Sequence, residues 1–158
     1  MHIAVDIDEV LSQTLRGFVK EYNKEFRTDI KISDFSSYQW HHIVDTQTMD
    51  EAVLLFENYL DNGLALLPVD DAHQSIKTLC DKHTISAITA RPETLKDHTL
   101  RWMKQYFPQI KNIYFSSDDK TQILKQIQAD IIVEDRLDFS NTVGLQGYRV
   151  ILLDYPWN

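Results

Sequence analysis

The chain has 158 residues, 43% of them apolar, which suits one domain with a core of its own. Its formal net charge of −8 argues against nucleic-acid polymers and anionic membranes as partners, since both bind basic surfaces. One cysteine excludes an intrachain disulfide, and the N-terminus lacks the basic region of a signal peptide, so we expect a cytoplasmic protein.

Five short apolar runs that end in polar residues predict five β-strands. The run at residues 131–133 is entirely β-branched, which is typical of a strand buried on both faces of a parallel sheet. The predicted strands are residues 3–6, 84–89, 112–115, 130–134 and 148–153.

Helical patterns separate the predicted strands. Thr48 and Glu51 form a capping box at the start of one helix, and Asp70 or Asp71 is placed to cap the next. Pro92 suits the first turn of a further helix. Apolar residues in steps of three and four give the first helix one apolar face. We therefore predict helices near residues 11–26, 48–60, 72–79, 95–106, 120–128 and 137–146.

Strand and helix alternate after residue 70, which predicts an α/β fold: a Rossmann-like, three-layer parallel sheet. About 75 residues separate Asp8 from Thr84, far more than one crossover connection requires. We interpret residues 12–67 as a small helical cap inserted after the first strand, and residues 1–11 and 68–158 as the core domain. Inserts of this size beside the active end of a sheet are usually functional lids.

Ligand sites in parallel sheets lie at the carboxyl ends of the strands, and polar side chains cluster there in this sequence. The third strand delivers Ser116 and Ser117. The groups with the strongest chemical potential, in chain order, are Asp6, Asp8, Thr89, Lys120, Glu134 and Asp135.

These residue types meet the needs of phosphoryl transfer. An Asp carboxylate can attack phosphorus, and a second carboxyl two residues on can protonate the leaving oxygen and then deprotonate water. A hydroxyl and an ammonium can hold the non-bridging oxygens. Carboxylates are ligands that Mg²⁺ prefers, and the cation offsets repulsion between a carboxylate and an anionic substrate.

The ordered set resembles the haloacid dehalogenase superfamily of phosphatases. Its motifs are an Asp-x-Asp strand end, a Thr or Ser strand end, a Lys and an acidic pair, and the match spans nearly the whole chain. The resemblance implies a parallel sheet in the order 3-2-1-4-5, Mg²⁺ as cofactor and an aspartyl-phosphate intermediate. Within this superfamily, the chain is similar to the 5′(3′)-deoxyribonucleotidases and their bacterial relatives. The similarity lies in residues 6–11, in residues 89–92 and in the early insert.

The resemblance also implies a role for each member of the set. Asp6 would be the nucleophile and Asp8 the acid–base, and the backbone carbonyl of Asp8 would join Asp6 in binding Mg²⁺. Either Glu134 or Asp135 would complete the metal shell. Relatives often have a small residue after the second Asp, where this chain has Glu9. The expected phosphate-binding residues are Thr89, Ala90, Arg91 and Lys120.

The substrate is less constrained than the chemistry. Four aromatic residues are candidates to stack on a nucleobase, with the core of the cap as the alternative role, which we favour for Phe18. The four are Phe18, Phe35, Tyr38 and Trp40. We expect a nucleoside monophosphate, with sugar phosphates or other small metabolites as the alternative. A phospho-accepting receiver domain and a catalytically silent binding protein are alternatives of other classes. The tail at residues 155–158 is either packed on the domain or a contact in a homodimer.

Overall fold

Five parallel strands form the centre of the molecule in a computed structural model that describes residues 1–116 and 120–158. The predicted site residue Ser117 lies outside the described residues. The strand order is β3-β2-β1-β4-β5, which confirms the predicted α/β fold and the order 3-2-1-4-5. The strands are β1 (His2–Val5), β2 (Thr84–Thr89), β3 (Asn112–Phe115), β4 (Ile131–Glu134) and β5 (Arg149–Leu152).

Six α-helices occur in the part of the chain that the structure describes, and each corresponds to a predicted one. The largest difference is at the first helix, which begins at Thr14 rather than near Leu11 because residues 8–12 form a turn with isolated bridges. The helices are α1 (Thr14–Phe26), α2 (Met49–Asp61), α3 (Ala72–Cys80), α4 (Lys96–Tyr106), α5 (Lys120–Gln126) and α6 (Leu137–Leu145).

The central strand β1 is buried on both faces, as alternating side chains in a covered parallel sheet require. Ile3 and Val5 belong to a large apolar cluster that includes residues of α1, α3 and α4. Ala4 points the other way, into a second cluster with Leu124 of α5 and Val143 of α6. The sheet is thus the middle layer of three, and its carboxyl edge is left for polar residues.

The segment between β1 and α3 carries α1, α2 and two 3₁₀ turns, Ile32–Asp34 and His41–Val44. The two connections of this insert to the sheet lie side by side: Val69 N donates to Leu11 O at 2.8 Å, and Gln13 N donates to Leu67 O at 2.9 Å. The insert shares the large apolar cluster with the sheet. It therefore packs directly over the carboxyl end of β1.

Three of the predicted helix starts, two caps and one first-turn proline, differ from the structure in detail. Thr48 Oγ1 accepts from Glu51 N at 3.2 Å, but the Glu51 carboxylate accepts from Gln47 N instead of completing the box. Asp71 precedes α3 in a left-handed conformation and makes no side-chain cap. Pro92 does not lie in the first turn of α4, because the 3₁₀ turn Glu93–Leu95 separates the two.

None of the helices in the described ranges is both long enough and apolar enough to cross a membrane.

The second apolar cluster makes a direct test of the packing. Leu124 is fully buried in α5, whereas Leu145 at the end of α6 is 91% exposed. We expect Leu124→Ala to lower the free energy of unfolding by about 2–5 kcal/mol, since it removes buried methyl groups and leaves a cavity. Leu145→Ala, the matched control, should change it by less than about 0.5 kcal/mol. Urea unfolding measures both, and equal effects would contradict this assignment of the core.

Candidate active site

Three buried side chains meet at the carboxyl edge of the sheet. Asp6 follows β1, Glu134 ends β4, and Lys120 begins α5. Lys120 Nζ lies 2.9 Å from Asp6 Oδ2 and 3.0 Å from Glu134 Oε2, and all three side chains are less than a tenth exposed. Ile7 N donates to Asp6 Oδ1 at 2.8 Å, so both oxygens of Asp6 are held. The first motif, the lysine and the acidic pair are therefore brought together as predicted from their order.

Burial and crowding shift the protonation of these acids. Burial raises the pKa of Glu134 to about 9 and that of Asp135 to about 7, and the charge of Asp6 adds to both shifts. Burial also raises the pKa of Asp6, against the opposing effect of Lys120. Burial alone would lower the pKa of Lys120, but Asp6 and Glu134 hold it above its usual value. The edge is thus a concentrated acidic site with one buried ammonium inside it.

The donor set fits a hard divalent cation. Asp6, Glu134 and Asp135 offer carboxylate oxygens that all lie within 4.8 Å of one another. Such oxygens are the ligands that Mg²⁺ prefers. Glu134 is fully buried, and its two oxygens lie 3.4 and 3.0 Å from Lys120 Nζ, which favours Asp135 as the acid that completes the shell. The Asp8 carboxylate contacts Thr14 and Arg91 instead, so the backbone carbonyl of Asp8 is the group that is a candidate ligand of the cation.

Arg91 holds Asp8, and this contact differs from the predicted one with phosphate. Its Nη2 lies 2.7 Å and its Nε 3.0 Å from the Asp8 carboxylate, and Nη1 donates to Thr99 Oγ1 at 3.2 Å. Thr14 Oγ1 donates to the same carboxylate at 2.6 Å. Burial raises the pKa of Asp8, but Arg91 and Thr14 outweigh it and hold that pKa below its usual range. Arg91 therefore positions Asp8.

Thr89 ends β2 at the expected place but is fully buried. Its Oγ1 accepts from Arg91 N at 3.2 Å, so the hydroxyl shapes the loop that carries Arg91. Ala90 is exposed and lines the cavity described next. Contact of either residue with phosphate stays a prediction.

A cavity of about 460 Å³ lies between the acidic edge and the insert. Asp6, Asp8 and Lys120 line its polar side, and Tyr38 and Trp40 line its aromatic side. Phe35 lines it as well. The insert residues that line it and that the sequence analysis did not select are Leu15, Ser37, Gln39 and, on α2, Met49, Val53, Phe56, Glu57 and Leu60. Their apolar spacing along α2 signals one packed face, which does not distinguish a cavity wall from core.

Phe18 is not among the residues that line this cavity, which favours the core of the cap over stacking on a base. The side chain is fully buried, and its ring packs within 6.1 Å of the rings of Tyr22, Trp40, Phe56 and Tyr59. It therefore belongs to the aromatic core of the insert.

The residue after the second Asp has a structural task. Glu9 takes a left-handed conformation, with φ of 58°, which residues other than glycine rarely adopt. Its carboxylate accepts from Leu15 N at 2.5 Å, in the first turn of α1, where Gln13 makes no side-chain cap. Burial raises the pKa of Glu9 to about 8. The Glu9 side chain thus connects the turn at residues 8–12 to the first turn of α1, where the insert begins.

The tail packs on the site. Trp157 Nε1 donates to Asp135 Oδ2 at 3.1 Å, and Tyr155 OH donates to Glu9 O at 2.7 Å. The sequence left the tail undecided because nothing local distinguishes a packed aromatic residue from one at an interface.

The sheet order and the acidic, threonine and lysine positions at one edge define a hydrolase of the haloacid dehalogenase superfamily. Residues 1–158 match the family model described as "5′ nucleotidase, deoxy (Pyrimidine), cytosolic type C protein". The chain belongs to this family and is a phosphoric monoester hydrolase, which favours the enzyme over the receiver and binding-protein alternatives.

Similar proteins agree with this assignment. The chain is 25% identical to "Putative nucleotidase YqfW" of Bacillus subtilis over all of its own length and 82% of the relative. It is 27% identical to a "Putative 5′(3′)-deoxyribonucleotidase" of Staphylococcus epidermidis, over 84% of this chain and 73% of that one.

Solved structures share the fold. A haloacid dehalogenase-like hydrolase from Streptococcus pneumoniae superposes with a TM-score of 0.69 at 14% identity, covering 99% of this chain and 86% of that one. The "putative HAD-hydrolase YfnB" from Bacillus subtilis, solved bound to magnesium, gives a TM-score of 0.62 at 14% identity, over 96% and 87% of the two chains.

The forked contact between Arg91 and Asp8 predicts that lysine cannot replace this arginine. Lysine keeps the charge but not the planar pair of donors. Loss of a charge-assisted hydrogen bond costs about 1.5–3 kcal/mol, so we expect Arg91→Lys to lower kcat/KM for p-nitrophenyl phosphate by about 10- to 100-fold. The exposed Arg101→Lys is the matched control and should leave the rate unchanged. Wild-type rates in Arg91→Lys would show that the contact has no part in turnover.

Proposed function

We propose that this protein is a Mg²⁺-dependent 5′-nucleotidase that hydrolyses (deoxy)nucleoside monophosphates through an aspartyl-phosphate on Asp6. The single observation that carries the proposal is the place of Asp6: it lines the cavity with Lys120 Nζ 2.9 Å from its Oδ2. The fit of the acidic set to a divalent cation and the family match add support. The lone cysteine and the family favour a cytoplasmic location.

In the first step, a carboxylate oxygen of Asp6 forms a bond to phosphorus while the bond to the leaving oxygen breaks. The leaving oxygen takes a proton from Asp8, which releases the nucleoside. The dianionic substrate favours protonation of Asp8, because a nearby negative charge raises the pKa of a carboxyl group. Lys120 stabilises the charge that builds on the phosphoryl oxygens.

In the second step, a water molecule attacks phosphorus and returns its proton to Asp8. The bond from phosphorus to Asp6 breaks, so inorganic phosphate leaves and the Asp6 carboxylate is restored. Arg91 favours the ionised form of Asp8 in the free protein, and this is the form that accepts a proton from water. A bound Mg²⁺, held by Asp6, Asp135 and the backbone carbonyl of Asp8, would offset the negative charge of the phosphate and the acids.

The insert favours a nucleoside as the leaving group. We propose residues 12–67 as a cap that covers the cavity, with Tyr38, Trp40 and Phe56 as its aromatic wall. Aromatic faces suit a nucleobase, since stacking of one base on one ring is worth about 1–3 kcal/mol. A sugar phosphate would leave this apolar wall without a partner. Two similar proteins named as a putative nucleotidase and a putative 5′(3′)-deoxyribonucleotidase agree with that choice.

Substitution of the two aspartates tests the chemistry. With Mg²⁺ and p-nitrophenyl phosphate, we expect Asp6→Asn to abolish hydrolysis because an amide is not a nucleophile here. Asp8→Asn should lower kcat by about 10²- to 10⁴-fold, the usual contribution of general acid–base catalysis. Asp29→Asn, an exposed control with the same change of charge, should retain wild-type turnover. Retained turnover in a folded Asp6→Asn would remove Asp6 from its role.

A substrate panel tests the specificity. We expect deoxynucleoside 5′-monophosphates to have the highest kcat/KM among nucleotides, ribose 5-phosphate and glucose 6-phosphate. Trp40→Leu should raise KM for the preferred nucleotide by about tenfold and leave KM for ribose 5-phosphate unchanged, because the sugar phosphate has no base to stack. Equal kcat/KM values across the panel would favour a phosphatase of small metabolites instead.

A further inference from the structure

Two aromatic side chains from distant parts of the chain converge on one oxygen of Asp135. Tyr38 OH, from the loop between α1 and α2, donates to Asp135 Oδ2 at 2.6 Å. Trp157 Nε1, from the tail after β5, donates to the same Oδ2 at 3.1 Å and to Asp135 O at 3.2 Å. The Tyr38 and Trp157 rings also meet edge to face, with centroids 6.4 Å apart. Both donors therefore act on the acid that the cation site needs.

These hydrogen bonds also determine which oxygen of Asp135 is open to a cation. With Oδ2 occupied by two donors, Oδ1 is the oxygen that a cation can take without displacing either of them. Asp135 is buried, and its carboxylate belongs to the cluster with Asp6 and Glu134. Residues that hydrogen-bond a ligating side chain fix its orientation, and removing one commonly costs 10- to 100-fold in metal affinity.

The aromatic tail braces both sides of the same site. The Tyr155 and Trp157 rings stack with centroids 4.6 Å apart and planes 6° apart. Tyr155 OH reaches Glu9 O, next to the backbone carbonyl of Asp8. The tail thus joins the turn at residues 8–12 to the acidic end of β4 through two stacked rings.

Tyr38 is anchored in place as well. Its ring lies under the Arg136 guanidinium, 5.1 Å from ring centroid to Cζ. Because Tyr38 belongs to the insert, its hydrogen bond joins the insert directly to an acid of the sheet edge. A change in the position of the insert would therefore change how Asp135 is held.

We propose that Tyr38 and Trp157 are positioning residues that hold Asp135 by Oδ2 and so set the affinity of the acidic cluster for a divalent cation. The inference rests on the proposed function, since it presumes the cation site. It goes beyond it by assigning cation affinity to an insert residue and to a tail residue, neither of which belongs to the acidic cluster.

Cation binding without substrate tests the proposal. Free Mn²⁺ is measured by electron paramagnetic resonance during titration of wild-type protein, Tyr38→Phe and Trp157→Phe. We expect each substitution to raise the Mn²⁺ dissociation constant by about tenfold or more. In turnover, each should raise the Mg²⁺ concentration needed for half-maximal rate.

Matched controls separate this role from general packing. Tyr22→Phe and Trp102→Phe remove the same donors from bonds to the backbone carbonyls of Val44 and Leu66, outside the site. They should bind Mn²⁺ as the wild type does. Tyr38→Phe keeps its ring, so it remains a valid test even where Trp157→Phe lowers stability.

The outcomes are distinct. Wild-type affinity in both Tyr38→Phe and Trp157→Phe would overturn the positioning role and leave the proposed function standing. A wild-type protein that binds no Mn²⁺ would instead overturn the cation site, and the positioning role with it. Weaker binding in the control variants to the same extent would also contradict the proposal, because the effect would then be one of packing.

Discussion

The buried ammonium of Lys120 is the constraint on which the rest of the site depends. Three carboxylates whose oxygens lie within 4.8 Å of one another would repel strongly in a buried setting. Lys120 contacts Asp6 and Glu134 at 2.9 and 3.0 Å, so part of that charge is offset within the protein. Burial, and after it the charge of Asp6, still hold the pKa values of Glu134 and Asp135 above their usual range, although Lys120 lowers both. The remaining negative charge is what makes the edge suited to a divalent cation.

The parallel sheet is what lets a sequence reveal this site. Carboxyl ends of adjacent parallel strands meet at one edge, so Asp6 after β1 and Glu134 at the end of β4 are neighbours although more than a hundred residues separate them. Strand positions follow from short apolar runs, and Asn112–Phe115 and Thr84–Thr89 match the prediction to the residue. The fold and the polar centre were therefore predictable from local patterns and topology.

The remaining site residues depend on packing that no local pattern encodes. The sequence predicted a contact between Arg91 and phosphate but not its contact with Asp8, which depends on Thr14 and Thr99 of two other elements. The contact with phosphate stays a prediction. The spacing of Phe18 along α1 is the same whether its side chain packs in the core or faces a ligand. Its contacts with the other rings of the insert place it in the core. Trp157 is distant in sequence from every motif. Glu9, an apparent departure from the family pattern, proves to cap α1.

The central claim is that Asp6 accepts the phosphoryl group. The most direct measurement is peptide mapping by mass spectrometry after the Asp8→Asn variant is mixed with p-nitrophenyl phosphate and Mg²⁺ and quenched in acid. The p-nitrophenolate group leaves without a proton from Asp8, so the first step does not need that residue. This variant should accumulate the covalent species because it lacks the base that activates water. The account predicts the added mass of one phosphoryl group on the peptide that contains Asp6, and on no other. A phosphoryl group on another residue, or none while product forms, would contradict it.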